Sequence, residues 1–178
     1  MLLRGTRCLV RPWRPGDAAS LVRHANNINI AKHLRDRFPH PYTRAAAESF
    51  LSWTSGIESA GANLAIEVDG EAAGGVGFNP GADVERYSAE VGYWLGEAYW
   101  GRGIVTEAVV MLTDHLFATH NFLRLFALPF ADNVASARVL EKAGYQREAV
   151  LRSSSVKYGE PRDQVLYARI NAEWRSPA

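Results

Sequence analysis

The chain contains a single cysteine, Cys8, which rules out an internal disulfide framework and any zinc site built on paired thiolates. No apolar run approaches the ~18 residues needed to span a bilayer. The opening MLLRGTRCLV has only two leucines before Arg4, too few for a signal-peptide core, and this predicts a cytoplasmic location. A dominant charge is also missing. Twenty basic residues against 19 acidic ones give a net charge of +1, which argues against nucleic acid or an anionic membrane as a partner. Lysine is scarce, with three against seventeen arginines. Arginine suits forked contacts to phosphate and carboxylate, although a genome-wide codon bias explains the excess more simply. GxxxxGK[ST] does not occur, which excludes a P-loop NTPase. Nor does GxGxxG occur at a first strand with an acidic residue ~20 positions on. A dinucleotide fold therefore stays a distant runner-up, kept only by the glycine-rich GGVGF at 74–78. His115 and His120 stand five apart and no HExxH is present, so no metal is expected.

What is present describes an ordinary globular chain: 178 residues, 47% hydrophobic and 22% charged. That length supports one domain over 1–178, with a core that needs no staples. RCLVRPW (7–13) reads as a strand and Arg14–His24 as a helix, with Pro15 in its first turn and an apolar stripe of Ala18, Leu21, Val22 and Ala25. Asn29–Leu34 reads as a short helix, and RFPHPY (37–42) as a loop. Thr43 suits an N-cap for a helix over Arg44–Ser59, marked by Ala47, Phe50, Leu51 and Ile57. From residue 63 the period shortens, and NLAIEVDGEAAGGVGF predicts a hairpin turning at Asp69-Gly70. A turn-rich loop (79–88), a strand (89–95), a helix (104–119) and a strand (122–130) follow. The next helix has Asp132 or Asn133 at its start and Gly144 as its stop. Strands near 147–157 and 165–170 close the chain. The mixture predicts an α/β (α+β) fold, a mixed sheet of about seven strands flanked by about four helices.

The informative stretch is EVGYWLGEAYWGRGIVTEA (90–108), a strand that runs through a glycine-bearing turn into a helix. A helix start offers unpaired N–H groups and the positive end of a dipole, and nearby glycines let an anion approach the backbone. Such a turn can cradle a diphosphate, though two glycines before a helix are often only a turn. Strand alternation puts Glu90, Gly92 and Trp94 on one side and Val91, Tyr93 and Leu95 on the other. Glu90 is an acid in an otherwise apolar strand, a candidate general base or equally a carboxylate paired with an arginine. Asn133 and Ser136 share one face of a helix's first turn, where Asn133 also suits an N-cap. Glu107 and Glu141 read as structural or solvated, Asp163 as a turn former or, second, a residue that shapes a pocket, and Tyr145 and Cys8 as core residues.

EVGYWLGEAYWGRGIVTEAV followed by ADNVASARVLEKAGYQRE resembles the RimJ/RimL-type branch of the GNAT N-acetyltransferases. TRCLVRPWRPGDAASL resembles that branch's first strand and helix, so the likeness covers nearly the whole chain. It implies a single GNAT-like domain with a mostly antiparallel, splayed sheet. It also implies transfer of acetyl from acetyl-CoA to a primary amine, with no metal. The cofactor diphosphate would rest on the loop at Trp100–Thr106, engaging Gly101, Arg102, Gly103, Ile104, Val105 and Thr106. The pantetheine arm would lie between the strands at 89–95 and 123–130, beside Tyr93, Trp94 and Leu95. Asn133 would bond the arm's amides and Ser136 would lie near the sulfur, so Glu90 and Ser136 are the catalytic candidates. The superfamily pattern Q/R-x-x-G-x-G/A is not met at its ends, where this chain has Trp100 and Val105. Leu140 stands where many members carry a tyrosine general acid. The branch implies a protein N-terminal α-amino group as acceptor and often forms homodimers. A small amine (an aminoglycoside, polyamine or amino acid) is the alternative acceptor. A module that holds acyl-CoA without turnover is the alternative from another class.

Overall fold

The computed structural model describes residues 1–55 and 61–176. One eight-stranded sheet runs through them in the order β1-β2-β3-β4-β5-β6-β8-β7. The strands are β1 (Leu3–Arg4), β2 (Leu9–Pro12), β3 (Ala62–Val68), β4 (Glu71–Pro80), β5 (Ser88–Leu95), β6 (Arg124–Ala127), β7 (Gln146–Lys157) and β8 (Glu160–Ile170). The helices are α1 (Ala18–Ala25), α2 (Ile28–Ala31), α3 (Arg44–Ser55), α4 (Ile104–Thr119) and α5 (Val134–Lys142). Every neighbouring pair of strands is antiparallel except β5 and β6.

The local signals act where the residues place them. Asp69 and Gly70 both take positive φ, 50° and 83°, as a two-residue hairpin turn requires, and they join β3 to β4. Thr43 caps α3, its Oγ1 accepting from the Ala46 N–H at 3.2 Å. Gly144 ends α5 at φ 83° while the Tyr145 N–H returns to the Leu140 carbonyl at 2.9 Å. The outer part of the helix expected to reach Ser59, including Ile57, lies outside the described residues.

Other boundaries differ, for identifiable reasons. The eighth strand is β1, two residues at the sheet edge, too short for any periodicity to reveal. Pro15 opens a 3-10 turn, Pro15–Asp17, and the α-helix begins only at Ala18. The first strand keeps only Leu9–Pro12, because Thr6–Cys8 turn away to bond Glu107. β4 continues through Pro80, two residues into the expected loop. The strand expected over 122–130 is only Arg124–Ala127, because its continuation turns to β8: Pro129 accepts from the Val165 N–H at 2.9 Å. β8 begins at Glu160, five residues early, as a long hairpin with β7.

Apolar groups collect on both faces of the sheet. The larger cluster joins Ile104, Ala108, Val109, Leu112 and Leu116 of α4 and Leu140 of α5 to Val10, Ile66, Val76, Val91 and Leu125 of the strands. Burial on nearly every side of α4 accounts for its broad apolar character. The opposite face carries α1 and α3 over Ala18, Leu21, Ala25, Ala47 and Leu51, with Trp13 and Trp94 at the margin. The glycine run of β4 serves this second face: a Cβ on Gly75 would lie 2.7 Å from the Trp94 Nε1. That run is interior strand, not a phosphate loop, and the dinucleotide reading ends there.

Two polar ties hold the N-terminal segment. Arg11 is buried and bonds both oxygens of Asp17, at 2.7 and 2.9 Å, as well as Glu67 and the Pro12 carbonyl. Glu107, in the first turn of α4, accepts from the backbone N–H groups of Thr6, Arg7 and Cys8 at 3.0, 2.7 and 3.2 Å, and from the Thr6 hydroxyl at 2.6 Å. Partial burial pushes the Glu107 carboxyl up, but these hydrogen bonds outweigh it and hold the pKa at about 2. The same environment acts on Cys8 in the other direction: burial, then the Glu107 charge, raise its thiol to about 12.

The Glu107 tie sets a pH dependence. Its pKa is depressed below the ordinary 4.5, so its contribution is complete above that value and is lost as pH falls toward 2. Glu107→Gln is expected to cost about 1.5–3 kcal/mol at pH 7, the range for hydrogen bonds to a charged group. It should also flatten the acid limb of stability between those two pH values. Urea unfolding at a series of pH values checks this, and parallel stability curves for the two proteins would refute it.

Candidate functional site

The site lies where the sheet opens. β5 and β6 pair through Ser88↔Arg124, Ala89↔Leu125 and Glu90↔Phe126, and the ladder stops there. Beyond Glu90, β5 stays bonded to β4 as far as Leu95 while the chain after β6 turns toward β8. The strands therefore part over Val91–Leu95. Gly92 sits in the opening, exposed, and a Cβ there would meet nothing within 4 Å.

At one end of the opening is the start of α4. Gly101 and Gly103 take φ of 75° and 73°, left-handed values that favour glycine. Gly103 is the N-cap and supplies no side-chain cap, so the first-turn N–H groups have no intrahelical partner. Arg102 stands exposed at the rim, its guanidinium 5.5 Å from the centre of the Tyr99 ring. Ile104 is core and Val105 packs against the core, while Thr106 is half-buried. The Trp100 indole N–H donates to the Leu95 carbonyl at 2.7 Å, stitching the loop to the end of β5. The role of this tryptophan could not be read from sequence, because it lies in a fold-back of five residues with no periodic signal.

The two sides of β5 carry different chemistry. Tyr93 faces α5: its hydroxyl lies 2.8 Å from Ser136 Oγ and 3.1 Å from the Ser136 carbonyl oxygen. Burial, reinforced by Tyr145 and Tyr167, raises the Tyr93 pKa despite the Ser136 hydrogen bond. Asn133 is the N-cap of α5, its Oδ1 accepting from the Ser136 N–H at 3.1 Å. Its amide nitrogen has no hydrogen bond among the described residues. Leu140 is fully buried in the core, and the Tyr145 hydroxyl bonds Thr113 at 2.8 Å, also in the interior.

Trp94 and Glu90 point to the other face. Glu90 is ion-paired with Arg35, from the segment between α2 and α3. The same segment is anchored by Asp36, 2.8 Å from the otherwise buried Lys157 of β7. His33 lies beside it with Nδ1 buried and no hydrogen-bond partner among the described residues. Burial lowers its pKa, with Asp132 opposing and Lys32 and Arg162 adding to the shift. Asp163 does not fix a turn: it lies within β8 and accepts from the Ser153 N–H at 2.8 Å, opposite the irregularity of β7 between Leu151 and Ser155. Tyr93, Ser136 and Asn133 are thus brought together on one face, Glu90 and Trp94 stand on the other, and Gly101–Thr106 lie at the end of the opening. Among the described residues no three His, Cys, Asp or Glu side chains gather as a metal site, and no helix is long and apolar enough to cross a membrane.

Known proteins share the fold that carries this site. A family model described as an acetyltransferase (GNAT) domain matches residues 7–146. The uncharacterized N-acetyltransferase p20 of Bacillus licheniformis is 31% identical over 173 residues, spanning 94% of this chain and 95% of its own. The ribosomal-protein-serine acetyltransferase of Escherichia coli (strain K12) is 36% identical over 84 residues, 47% of this chain and 46% of its own length. Among solved structures, the RimL ribosomal L7/L12 alpha-N-protein acetyltransferase in complex with coenzyme A aligns with a TM-score of 0.84. That alignment covers 96% of this chain and 98% of the other at 20% identity, a likeness of fold.

If the loop binds through its backbone, Gly103→Val should weaken CoA binding by about tenfold or more, the equivalent of one charge-assisted hydrogen bond. The left-handed φ adds a stability cost of about 1–2 kcal/mol. Arg102→Ala should lose less affinity, as a solvated rim contact. Calorimetric titration with CoA decides between them, and unchanged affinity in Gly103→Val would contradict the cradle.

Proposed function

The chain belongs to the GNAT acetyltransferase family, and from that premise we propose that it carries acetyl from acetyl-CoA to the N-terminal α-amino group of a protein. Acetyltransfer and the CoA co-substrate follow from the family. The protein acceptor is the finer step, supported by likeness to a ribosomal-protein-serine acetyltransferase. The observation that carries the reading is the opening between β5 and β6, with an uncapped helix start at its end and a carboxylate at its side.

The residues present fit the co-substrate. The N–H groups of Gly103, Ile104, Val105 and Thr106, at a helix start with no side-chain cap, would hold the diphosphate, with Gly101 allowing the turn and Arg102 at the edge. The backbone of Tyr93, Trp94 and Leu95 borders the gap into which the pantetheine arm would fit, and the amide nitrogen of Asn133 remains for one of its carbonyls. The co-substrate supplies an acetyl group activated as a thioester.

The protein's part is proton handling. An amine is mostly protonated at neutral pH and must lose a proton before it can attack. Glu90 takes that proton, directly or through a water. Arg35 holds its carboxylate in the meantime, and an arriving ammonium can replace the guanidinium, cation for cation. On the other face Ser136 offers its hydroxyl to the departing sulfur, the duty that Leu140 leaves vacant on α5.

Glu90→Gln keeps the shape and removes the base. CoA affinity should hold while kcat falls by ~10²–10⁴, the usual span for general acid–base catalysis. The loss should shrink at high pH, where more of the acceptor is already neutral. An unchanged rate across the pH range would leave Glu90 as a strand residue tied to Arg35. The same assay on peptides and small amines tests the acceptor: turnover confined to small amines overturns the protein acceptor, and CoA binding without any turnover overturns catalysis.

A further inference from the structure

We propose that Tyr93 is a positioning residue for the transfer, holding the Ser136 hydroxyl so that its proton faces the departing sulfur. This rests on the role given to Ser136 above. The Tyr93 hydroxyl has one proton and two acceptors within reach, both on Ser136: Oγ at 2.8 Å and the carbonyl oxygen at 3.1 Å. If the phenol donates to the carbonyl, the serine must return its own proton to the Tyr93 oxygen, where it is lost to the reaction. If the phenol donates to Oγ, the serine proton is released toward the opening. The rest of Ser136 has little freedom, because its N–H is already held by Asn133 Oδ1 at 3.1 Å. The hydroxyl rotor is what remains, and Tyr93 sets it.

The second hydrogen bond also changes the donor. A lone alcohol is a weak donor toward a thiolate, and a hydrogen bond into its oxygen polarises the O–H. Burial keeps Tyr93 a neutral phenol into the alkaline range, where acceptor amines become reactive. No proton leaves Tyr93. As the carbon–sulfur bond breaks, its electron pair goes to sulfur, the sulfur accepts the hydrogen bond of Ser136, and solvent later protonates the free thiolate. Strand alternation explains the geometry: Tyr93 shares the α4–α5 side with Val91 and Leu95, across the sheet from Glu90.

Tyr93→Phe, Ser136→Ala and the double variant test this in two ways. Removing the phenol should lower kcat about 5- to 10-fold, the value of one ordinary hydrogen bond, with KM for acetyl-CoA unchanged. In the Ser136→Ala background it should cost nothing more. Calorimetry supplies a readout without turnover: wild type should prefer CoA over desulfo-CoA increasingly as pH rises through the thiol's ionisation, and both single variants should lose that pH-dependent preference. Ser136→Ala makes this comparison even if Tyr93→Phe is poorly folded. Equal losses in the two backgrounds, or a preference untouched by either variant, would overturn the proposal. A wild-type protein that neither binds CoA nor transfers acetyl would instead overturn the reading on which it rests.

Discussion

β5 and β6 run parallel within an otherwise antiparallel sheet, and they stay together for only three residue pairs. A parallel neighbour cannot be reached by a hairpin, so the chain must cross a face of the sheet between them. It does so through the glycine loop and the sixteen residues of α4. That crossover delivers the start of α4 to the end of β5, where the strands have parted. The continuation after β6 meanwhile satisfies its backbone from β8, as the Pro129–Val165 bond shows. Open edges inside a sheet are ordinarily costly, since buried N–H and C=O groups need partners. Here the opening reaches solvent at Gly92 and can instead be filled by an extended ligand.

The same separation divides the chemistry. A gap through the sheet lets groups on opposite faces act on one bound molecule. Glu90 is held at the α1–α3 side by Arg35, and the Tyr93–Ser136 pair is held at the α4–α5 side by the start of α5. On the proposed reading, the base and the donor to the leaving group are thereby kept on opposite faces and do not quench each other by direct hydrogen bonding. Arg35 gives the acceptor side a further character. The carboxylate rests against a cation, and the segment that brings it is fastened a residue away by Asp36 to Lys157. On the proposed reading, substrate ammonium and protein guanidinium compete for one site.

Much of the local structure could be read from sequence because the signals are local. Asp69-Gly70 permits little other than a tight hairpin turn, α4 was bounded by its glycines and its apolar run, and Gly144 marked the end of α5. The branch resemblance placed the loop, the paired strands and Asn133–Ser136 in one region; the contacts that tie them are Tyr93 to Ser136 and Trp100 to the end of β5. What could not be read depends on contacts distant in sequence. Glu107 reads as structural or solvated and it is structural, but its partners were hidden: it collects five hydrogen bonds from Thr6, Arg7 and Cys8, about a hundred residues away. Arg11 looked like one arginine among seventeen until the fold buried it against Asp17 and Glu67. Alternation put Tyr93 on the correct side of β5, but nothing in its neighbourhood reveals Ser136 as its partner, and nothing near Glu90 reveals Arg35.

The central claim is that the opening between β5 and β6, closed at one end by the uncapped start of α4, holds the co-substrate. Amide hydrogen exchange read residue by residue, with and without CoA, tests it most directly. Protection is expected at Gly103–Thr106 and along Val91–Leu95, with the distant β3–β4 turn at Asp69-Gly70 unchanged. CoA binding that leaves those two segments exchanging as in the free protein would contradict the account.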